Sequence, residues 1–342
     1  MGLTWLRYTI SDIARIANVS KATVSRVINN KSEGVSEETA QRIRKIINEL
    51  GYRPNTLARS IVNSKAKMLG LVIPDITNPF FPQLVRGIED YANSCGYTVF
   101  LCNSDNDPKK EERYLLSLID KRVDGVILAS ASSHSSILEQ MNNYKIPFVI
   151  VDRPLNNESV DLCVYANNYN GVYAAVEHLI RSGHKRIAFL GGTKNVITTN
   201  ERYEGYKNVI KDANIPLRKS LIRFGDYSII SGAEMVESLI ENNTDFTAIM
   251  AGNDLIAIGA VKTLKKRGIR IPEDCEIIGF DGIEIAEIFD PSISTVVQPV
   301  YEIAVESAKL LLGKINGEIT SPRKIIVEPT LVLRTTTRNN TP

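Results

Sequence analysis

Long apolar runs are missing from this sequence, and so are the features of an exported protein. No stretch reaches the roughly 18 consecutive apolar residues that a membrane-spanning helix requires. The opening stretch, MGLTWLRYTISD, has neither an uninterrupted apolar segment nor a small-residue cleavage site. We therefore expect a cytoplasmic protein that does not contact a membrane.

Cysteine and histidine are too few and too scattered to suggest a metal site or a disulfide framework. The four cysteines include no CxxC pair, and the three histidines lack the spacing of metal ligands. The sequence also contains neither a G-x-G-x-x-G fingerprint nor a P-loop. We predict reduced structural thiols, no metal and no cofactor.

Charge is divided unevenly along a chain of otherwise ordinary composition. The 342 residues are 43% hydrophobic and 23% charged, values that suit two or three globular domains. Residues 1–67 carry 12 Lys and Arg against 5 Asp and Glu, whereas residues 68–342 carry 29 against 34. A basic head on a mildly acidic body indicates that only the head meets a polyanion. A solvated basic helix face would produce the same asymmetry, so charge alone leaves both interpretations open.

The basic head contains the pattern of a helix-turn-helix. In TISDIARIANVSKATVSRVINN, Thr9 can cap a first helix and Ser20 a second, and apolar residues recur at helical spacing in both. A third helix starts at Ser36 and stops at Gly51. Two short helices that are joined by a tight turn and braced by a third predict a helix-turn-helix. A three-helix bundle that binds no nucleic acid is the alternative.

The second helix of the head has an outward polar face near its N-terminal end. Arg26 can make a bidentate contact with guanine, and Ala22 can touch a thymine methyl group. Neighbouring hydroxyl and amide side chains suit phosphate oxygens. The predicted contacts of this helix with DNA are Ser20, Lys21, Ala22, Thr23, Ser25, Arg26 and Asn29.

Beyond residue 67, short apolar runs alternate with helical patterns. The predicted strands are 69–73, 97–102, 124–129, 147–151, 186–191, 220–224, 247–251 and 275–280. The predicted helices include 81–95, 109–121, 169–182, 202–213, 230–241 and 254–267. This alternation predicts doubly wound parallel sheets, and about eight strands over roughly 270 residues favour two lobes over one sheet.

Polar and aromatic side chains gather where the predicted strands end. In open α/β sheets, ligands bind beyond the carboxyl ends of the strands. Carboxylate, amide and guanidinium groups can grip vicinal hydroxyls, and aromatic rings can cover the C–H faces of a sugar. For the adjacent rings at 80 and 81, capping the local core is the alternative. The predicted ligand-binding residues are Asn78, Phe80, Phe81, Ser130, Asp152, Arg153, Arg202, Tyr227, Asn253, Phe280, Asp281 and Gln298.

The head and the segment after it resemble the DNA-binding head of the LacI family of bacterial repressors, through NVSKATVSRVIN and GYRPNTLARSI (51–61). The resemblance implies a hinge helix that forms when two subunits meet on the operator, and Pro54 suits its first turn. The family inserts a leucine of this helix into the minor groove, and the matching position here is Ile61. The DNA contacts implied for the hinge are Asn55, Leu57, Ala58 and Ile61.

The motifs at the strand ends resemble the ribose-binding lineage of the same fold, which includes ribose repressors. The matching segments are NPFF (78–81), the DR pair (152–153), ERYEG (201–205), GND (252–254), GFDG (279–282) and Gln298. Matching side chains in that lineage hold a pentopyranose, so the resemblance implies a ribose-like ligand. Ser130 departs from the pattern, because periplasmic relatives place an asparagine there. Its shorter side chain leaves room for water or a hydroxymethyl group, so a hexose or a sugar derivative stays open.

The LacI resemblance covers nearly the whole chain and implies its architecture. The predicted fold is an all-α helix-turn-helix head plus a two-lobed, periplasmic-binding-protein-like α/β body with doubly wound parallel sheets. We expect the head over residues 9–54, a hinge helix and tether over 55–67, and the effector-binding body over 68–338. The expected N-lobe covers about 68–165 plus 299–327, and the expected C-lobe about 166–298 plus 328–338.

These features predict a sequence-specific repressor of sugar-utilisation genes. As a homodimer it would bind an inverted-repeat DNA operator, with its affinity controlled by a small sugar between the lobes. A phosphorylated carrier protein or a purine is the alternative effector. An enzyme would need Asp152 and Asp281 as a catalytic pair, but Arg153 beside the first favours a ligand clamp, so we predict no enzyme. The basic head opposes a periplasmic receptor.

Overall fold

A computed structural model describes residues 8–29, 33–52, 66–129, 135–154, 160–194 and 196–338. The chain divides into two compact units, with the boundary between Ala66 and Lys67. We call the first unit the head and the second the body. The predicted contacts at Asn55, Leu57, Ala58, Ile61 and Ser130 lie outside the described residues. Within the described ranges, no helix combines the length and the apolar character needed to cross a bilayer.

The head is a bundle of three capped helices, as predicted. They are α1 (Ile10–Ile16), α2 (Lys21–Ile28) and α3 (Glu37–Glu49). Thr9 and Asp12 form a reciprocal capping box before α1, and Ser20 Oγ accepts from the Thr23 amide, 3.1 Å away, before α2. The helices pack on a small apolar core: Ile13, Ala14, Ala17, Val24, Val27, Ala40 and Ile43.

The N-lobe of the body is built on a parallel six-stranded sheet in the order β11-β5-β4-β3-β1-β2. Its strands are β1 (Met68–Ile73), β2 (Thr98–Asn103), β3 (Gly125–Leu128), β4 (Phe148–Val151), β5 (Leu162–Ala166) and β11 (Arg323–Val327). Its helices are α4 (Phe80–Ser94), α5 (Pro108–Asp120), α6 (Ser135–Asn143) and α12 (Val300–Ile315).

The C-lobe repeats this plan with the sheet order β12-β10-β9-β8-β6-β7. Its strands are β6 (Ile187–Gly191), β7 (Ile222–Phe224), β8 (Ala248–Ala251), β9 (Glu276–Asp281), β10 (Ser294–Val297) and β12 (Thr330–Val332). Its helices are α7 (Asn168–Arg181), α8 (Ile197–Asp212), α9 (Ile229–Glu241), α10 (Asp254–Lys266) and α11 (Glu284–Ile288), with a 3₁₀ turn at Lys219–Leu221. All pairs are parallel except β12 with β10.

In each lobe the first strand lies between the second and the third, so the connections leave it in opposite directions. A crevice opens at such a switch point, beyond the carboxyl ends of the strands. The doubly wound parallel sheets are therefore confirmed. The strand predictions omitted β5, β10, β11 and β12. Of these, the polar edge strand β11 (RKIIV) and the three-residue β12 carry little apolar periodicity.

The chain crosses between the lobes three times. It passes from β5 to α7 near residue 167, from β10 to α12 near residue 299, and from β11 to β12 near residue 328. Two crossings are bonded to each other, since the Asn167 amide donates to the Val327 carbonyl over 2.9 Å. The Asn167 side chain also donates to Glu328 Oε1 over 2.8 Å. Two of the three crossings are thus held together by hydrogen bonds.

Candidate functional site

Charged groups from both lobes converge on one buried cluster at the crevice. Asp152 and Arg153 follow β4 in the N-lobe, whereas Arg202 on α8 and Asp281 at the end of β9 belong to the C-lobe. All four side chains are buried. Burial raises the pKa of each carboxyl group, and both guanidinium groups are close enough to oppose that rise. Each lobe therefore contributes one carboxylate and one guanidinium group to the cluster.

Asp281 is held by contacts from its own lobe. Its Oδ1 accepts from Gln298 Nε2 at 2.8 Å and lies 3.5 Å from Arg202 Nη2. Its backbone φ of +108° is a conformation that residues other than glycine rarely adopt. Burial raises the pKa of Asp281 to about 6, against the opposing effect of Arg202. The Asp281 carboxylate is consequently a hydrogen-bond acceptor whose protonation depends on burial and on the nearby Arg202.

Asp152 and Arg153 form the N-lobe half of the cluster. The Asp152 amide donates to the Val164 carbonyl over 3.0 Å, and the residue has a positive φ of +66°. Arg153 Nε lies 3.7 Å from Asp152 Oδ2, and its Nη1 donates to Asn106 Oδ1 over 3.2 Å. Burial raises the pKa of Asp152, and both neighbouring guanidinium groups oppose this effect. Sequence reasoning missed Asn106, whose only signal was its loop position after β2.

Arg202 is the most constrained of the four groups. Its Nε donates to Asn168 Oδ1 over 2.9 Å, and its Nη1 donates to the Gly252 carbonyl over 2.6 Å. The guanidinium carbon lies 3.8 Å from the centre of the Phe280 ring. Phe280 itself is fully buried in the C-lobe core, where its ring makes a cation–π contact with Arg202. Asn168 was also missed by the sequence reasoning.

Asn253 carries an unpaired donor. Its Oδ1 accepts from the Ile256 amide at 2.9 Å and caps α10. Its Nδ2 is buried and has no hydrogen-bond partner among the described residues. A buried donor without an acceptor costs about 1–3 kcal/mol, so the arrangement favours a polar ligand that supplies one.

Phe80 and Phe81 begin α4 and are both 3% exposed. Their rings make an edge-to-face pair with centroids 5.1 Å apart. Asn78 is buried beside them, and its Oδ1 accepts from the Phe80 amide at 3.2 Å. Both rings pack into the apolar core at the end of β1, and the amide of Asn78 fixes the start of the helix.

Tyr227 packs beside Arg202 in the C-lobe. Its hydroxyl is 2.7 Å from Thr199 Oγ1, and its ring centre is 5.9 Å from the guanidinium carbon of Arg202. The ring also covers Gly192 so closely that a Cβ at that position would collide with it. Position 192 therefore requires glycine if the tyrosine is to stay in place.

A buried carboxylate that the sequence reasoning did not assign to the site supports the Asp281 loop. Asp254 accepts from the amides of Gly282 and Ile283, at 2.8 and 2.9 Å, and from Thr295 Oγ1 at 2.5 Å. Burial and the nearby Asp281 raise the pKa of Asp254 to about 7. The signal that could have identified it is the GND motif itself, where it follows Asn253.

The head presents the predicted polar face on α2. Val24 and Val27 are buried, whereas Ser20, Lys21, Ala22 and Arg26 are exposed. Thr23, Ser25 and Asn29 are half-buried at the edge of this face. Such an exposed basic and polar helix face is suited to the major groove of DNA.

Comparison with known proteins identifies both units. Residues 9–55 match the family model described as bacterial regulatory proteins, lacI family. Residues 66–335 match the model described as periplasmic binding proteins and sugar binding domain of LacI family. Both predicted parts of the architecture are therefore found in one family.

Whole-chain relatives agree with these matches. The chain is 40% identical to the ribose operon repressor of Halalkalibacterium halodurans over 330 residues, which cover 96% of this chain and 97% of the relative. It is 36% identical to the HTH-type transcriptional repressor PurR of Actinobacillus pleuropneumoniae over 333 residues, which cover 97% and 98%. Relatives with different regulatory roles are therefore similar over nearly their full length.

Solved structures show the same fold. A LacI family transcriptional regulator from Enterococcus faecium with bound ribose is 30% identical, has a TM-score of 0.72, and covers 79% of this chain and 98% of that chain. The lac repressor dimer bound to operator and the anti-inducer ONPF has a TM-score of 0.87 at 24% identity, and covers 97% of this chain and 100% of that chain. The chain therefore belongs to the LacI family of bacterial regulatory proteins and is a DNA-binding transcriptional repressor, not an enzyme.

Proposed function

We propose that this repressor is controlled by a small ribose-like sugar bound between the two lobes of its body. The observation that carries the proposal is the convergence of Asp152 and Arg153 from one lobe with Arg202 and Asp281 from the other. Carboxylates and guanidinium groups can each bind two vicinal hydroxyls, as a pyranose requires. The similarity to a ribose operon repressor and to a ribose-bound regulator supports this ligand class.

The clustering of charged groups from both lobes suggests how a sugar would change the arrangement of the lobes. Burial raises the pKa of Asp281 and the nearby Asp152 raises it further, while Arg202 and Arg153 lower it. Hydroxyls inserted among these groups would replace contacts between them with contacts to the ligand. A ligand shifts an equilibrium only by its differential affinity for two states. The proposal therefore requires that sugar binds one arrangement of the lobes more tightly.

We propose that the repressor acts on DNA as a homodimer in the cytoplasm, where its operator lies. Each α2 helix would read one half of an inverted repeat, with Arg26 and Ala22 at base edges and Ser20, Thr23 and Asn29 at phosphates. The segment 55–67 would form the hinge and tether, with Ile61 at the minor groove. The solved lac repressor dimer on its operator supports this assembly.

An exposed apolar surface offers a place for the second copy. Helices α9 and α10 border a groove of about 500 Å³. Ile230 is 72% exposed and Ile229 is 39% exposed at its rim, beside Glu234 and Lys262. Burying such side chains against a copy of the same surface would stabilise a dimer through the hydrophobic effect.

A sugar screen tests the effector directly. We expect D-ribose or a related aldose, well above its dissociation constant, to raise the melting temperature of the full chain by mass action. The same sugar should weaken binding to the operator in a mobility-shift titration. A sugar that binds without changing operator affinity would contradict the inducer role. Stabilisation by purines or by a phosphorylated carrier protein, and by no sugar, would replace the proposed effector with one of those alternatives.

A further inference from the structure

Asn168 lies where the chain enters the C-lobe after crossing from β5. It is the first residue of α7, two positions after Ala166, and it is only 2% exposed. Both ends of its amide are used. Nδ2 donates to the Ala166 carbonyl over 3.2 Å and to Glu201 Oε2 over 2.9 Å, and Oδ1 accepts from Arg202 Nε at 2.9 Å. The amide thus links a lobe crossing to a charged group of the crevice.

The chemistry of these contacts requires an amide at this position. One side of the group must donate to a carboxylate and a carbonyl, while the other side must accept from a guanidinium. An aspartate could accept from Arg202, but it would place a second carboxylate against Glu201. An alanine would leave Arg202 Nε and Glu201 Oε2 without these partners in a buried setting, which is unfavourable.

We propose that Asn168 is a positioning residue that ties the guanidinium of Arg202 to the lobe crossing, and so makes the grip on the ligand depend on the angle between the lobes. The proposal rests on the proposed function, because it assigns Arg202 to the ligand. The remaining contacts of Arg202 come from the C-lobe alone: the Gly252 carbonyl, the Asp281 carboxylate, and the rings of Phe280 and Tyr227. Asn168 is its link to the backbone of the crossing.

Glu201, which accepts a hydrogen bond from Asn168, also lies at the boundary between the lobes. It borders a cavity of about 60 Å³ that is lined by Pro154, Cys163 and Lys324 from the N-lobe and by Ile197 from the C-lobe. Burial raises the pKa of Glu201, and the hydrogen bond from Asn168 opposes that effect. A rotation of the lobes would change the shape of this cavity and the surroundings of the carboxylate together.

Substitutions of Asn168 and of its partner Glu201 test the proposal, with D-ribose as the probe. Asn168→Ala and Asn168→Asp should each weaken sugar binding by about ten- to hundredfold in calorimetry. Adding Glu201→Gln to Asn168→Asp restores one donor and one acceptor, so the double variant should bind more tightly than Asn168→Asp alone. The matched control is Asn170→Ala, an exposed amide of the same helix that bonds Glu328, and it should keep the affinity of the unmodified chain. No recovery in the double variant would overturn the proposed pairing.

A measurement without sugar separates this proposal from the proposed function. The Nε–H resonance of Arg202, assigned with Arg202→Lys, should exchange slowly with water in the unmodified chain. It should broaden or disappear in Asn168→Ala and return in the double variant. An unchanged resonance in Asn168→Ala would overturn the positioning role, whatever the sugar does. A lost resonance together with no sugar binding by the unmodified chain would keep the positioning role and reject the sugar as effector.

Discussion

At the scale of single residues, the crevice contains carboxyl groups that are buried away from water. Asp254 and Asp281 are buried, and desolvation is the first cause of the raised pKa of each. Both carboxyl groups also accept hydrogen bonds in the C-lobe, Asp254 from backbone amides and Asp281 from a side chain. The protonation of the crevice and the stability of the loop that ends β9 are consequently linked.

This linkage predicts an inverted pH dependence of stability. The folded-state pKa values, about 7 for Asp254 and about 6 for Asp281, lie above 3.8, so the folded state binds more protons than the unfolded state between those limits. The contribution of these groups to the free energy of unfolding is therefore complete below about pH 4 and falls as pH rises toward 7, by up to about 1.4 kcal/mol per pH unit for each proton. Calorimetric unfolding across this range should show that Asp254→Asn makes the decline shallower.

Asp274 provides the control for this titration. It is an exposed carboxylate whose pKa is lowered to about 2 by its hydrogen bonds with Arg270. It stays ionised through the whole window, so Asp274→Asn should leave the slope unchanged. An Asp254→Asn variant with the same slope as the unmodified chain would show that Asp254 does not titrate there.

At the scale of elements, α2 is a short helix that separates its two tasks by face. Val24 and Val27 fix it to the head core, and Ser20 caps its first turn. A capped N-terminus matters here because a helix of eight residues is marginal by itself. The opposite face is thereby free to carry Arg26 and its polar neighbours without loss of packing.

Replacing Arg26 should separate base recognition from general charge. Arg26→Ala is expected to cost about 1–3 kcal/mol of operator affinity and to relax the preference at one base pair in each half-site. Lys45→Ala removes another exposed charge, on α3, and should change affinity little at any base. Binding measured over a range of salt concentrations with operator variants checks both. Equal losses on all sequences would mean that Arg26 contacts only phosphate.

At the scale of the whole molecule, the body joins two similar lobes through three crossings, and the charged cluster lies between them. The apolar surface of α9 and α10 faces away from the core and is available to a second subunit. The proposed reading of two half-sites would need such a subunit, because one head would cover only half of an inverted repeat. In the proposed function, the oligomeric state is part of DNA binding.

A charge placed in this surface should break the proposed dimer. Ile230→Asp would require an aspartate to be buried against its counterpart, so we expect monomers in light scattering and a large loss of operator affinity. Sugar affinity should remain, because the crevice is formed within one chain. Leu217→Asp, at another exposed apolar residue, is the control and should stay dimeric. A dimeric Ile230→Asp variant would place the interface elsewhere.

The sequence by itself determined the helix-turn-helix, the alternation of strands and helices, and the approximate position of the crevice. These features depend on local chemistry: Thr9 and Ser20 cap helices a few residues away, and apolar periodicity marks each strand. Because the carboxyl ends of parallel strands meet at one edge, Asp152 and Asp281 could be assigned to the crevice before any coordinates were known.

The tertiary structure alone decided how the groups of the crevice are held. Asn106 supports Arg153 across 47 positions of sequence, and Asn168 supports Arg202 across 34. It also decided that Phe280 lies under a guanidinium in the core, and that the rings of Phe80 and Phe81 are covered. Hydrogen bonds and ring contacts act over a few ångströms, so partners far apart in sequence become predictable only once the packing of the sheets has fixed their separation.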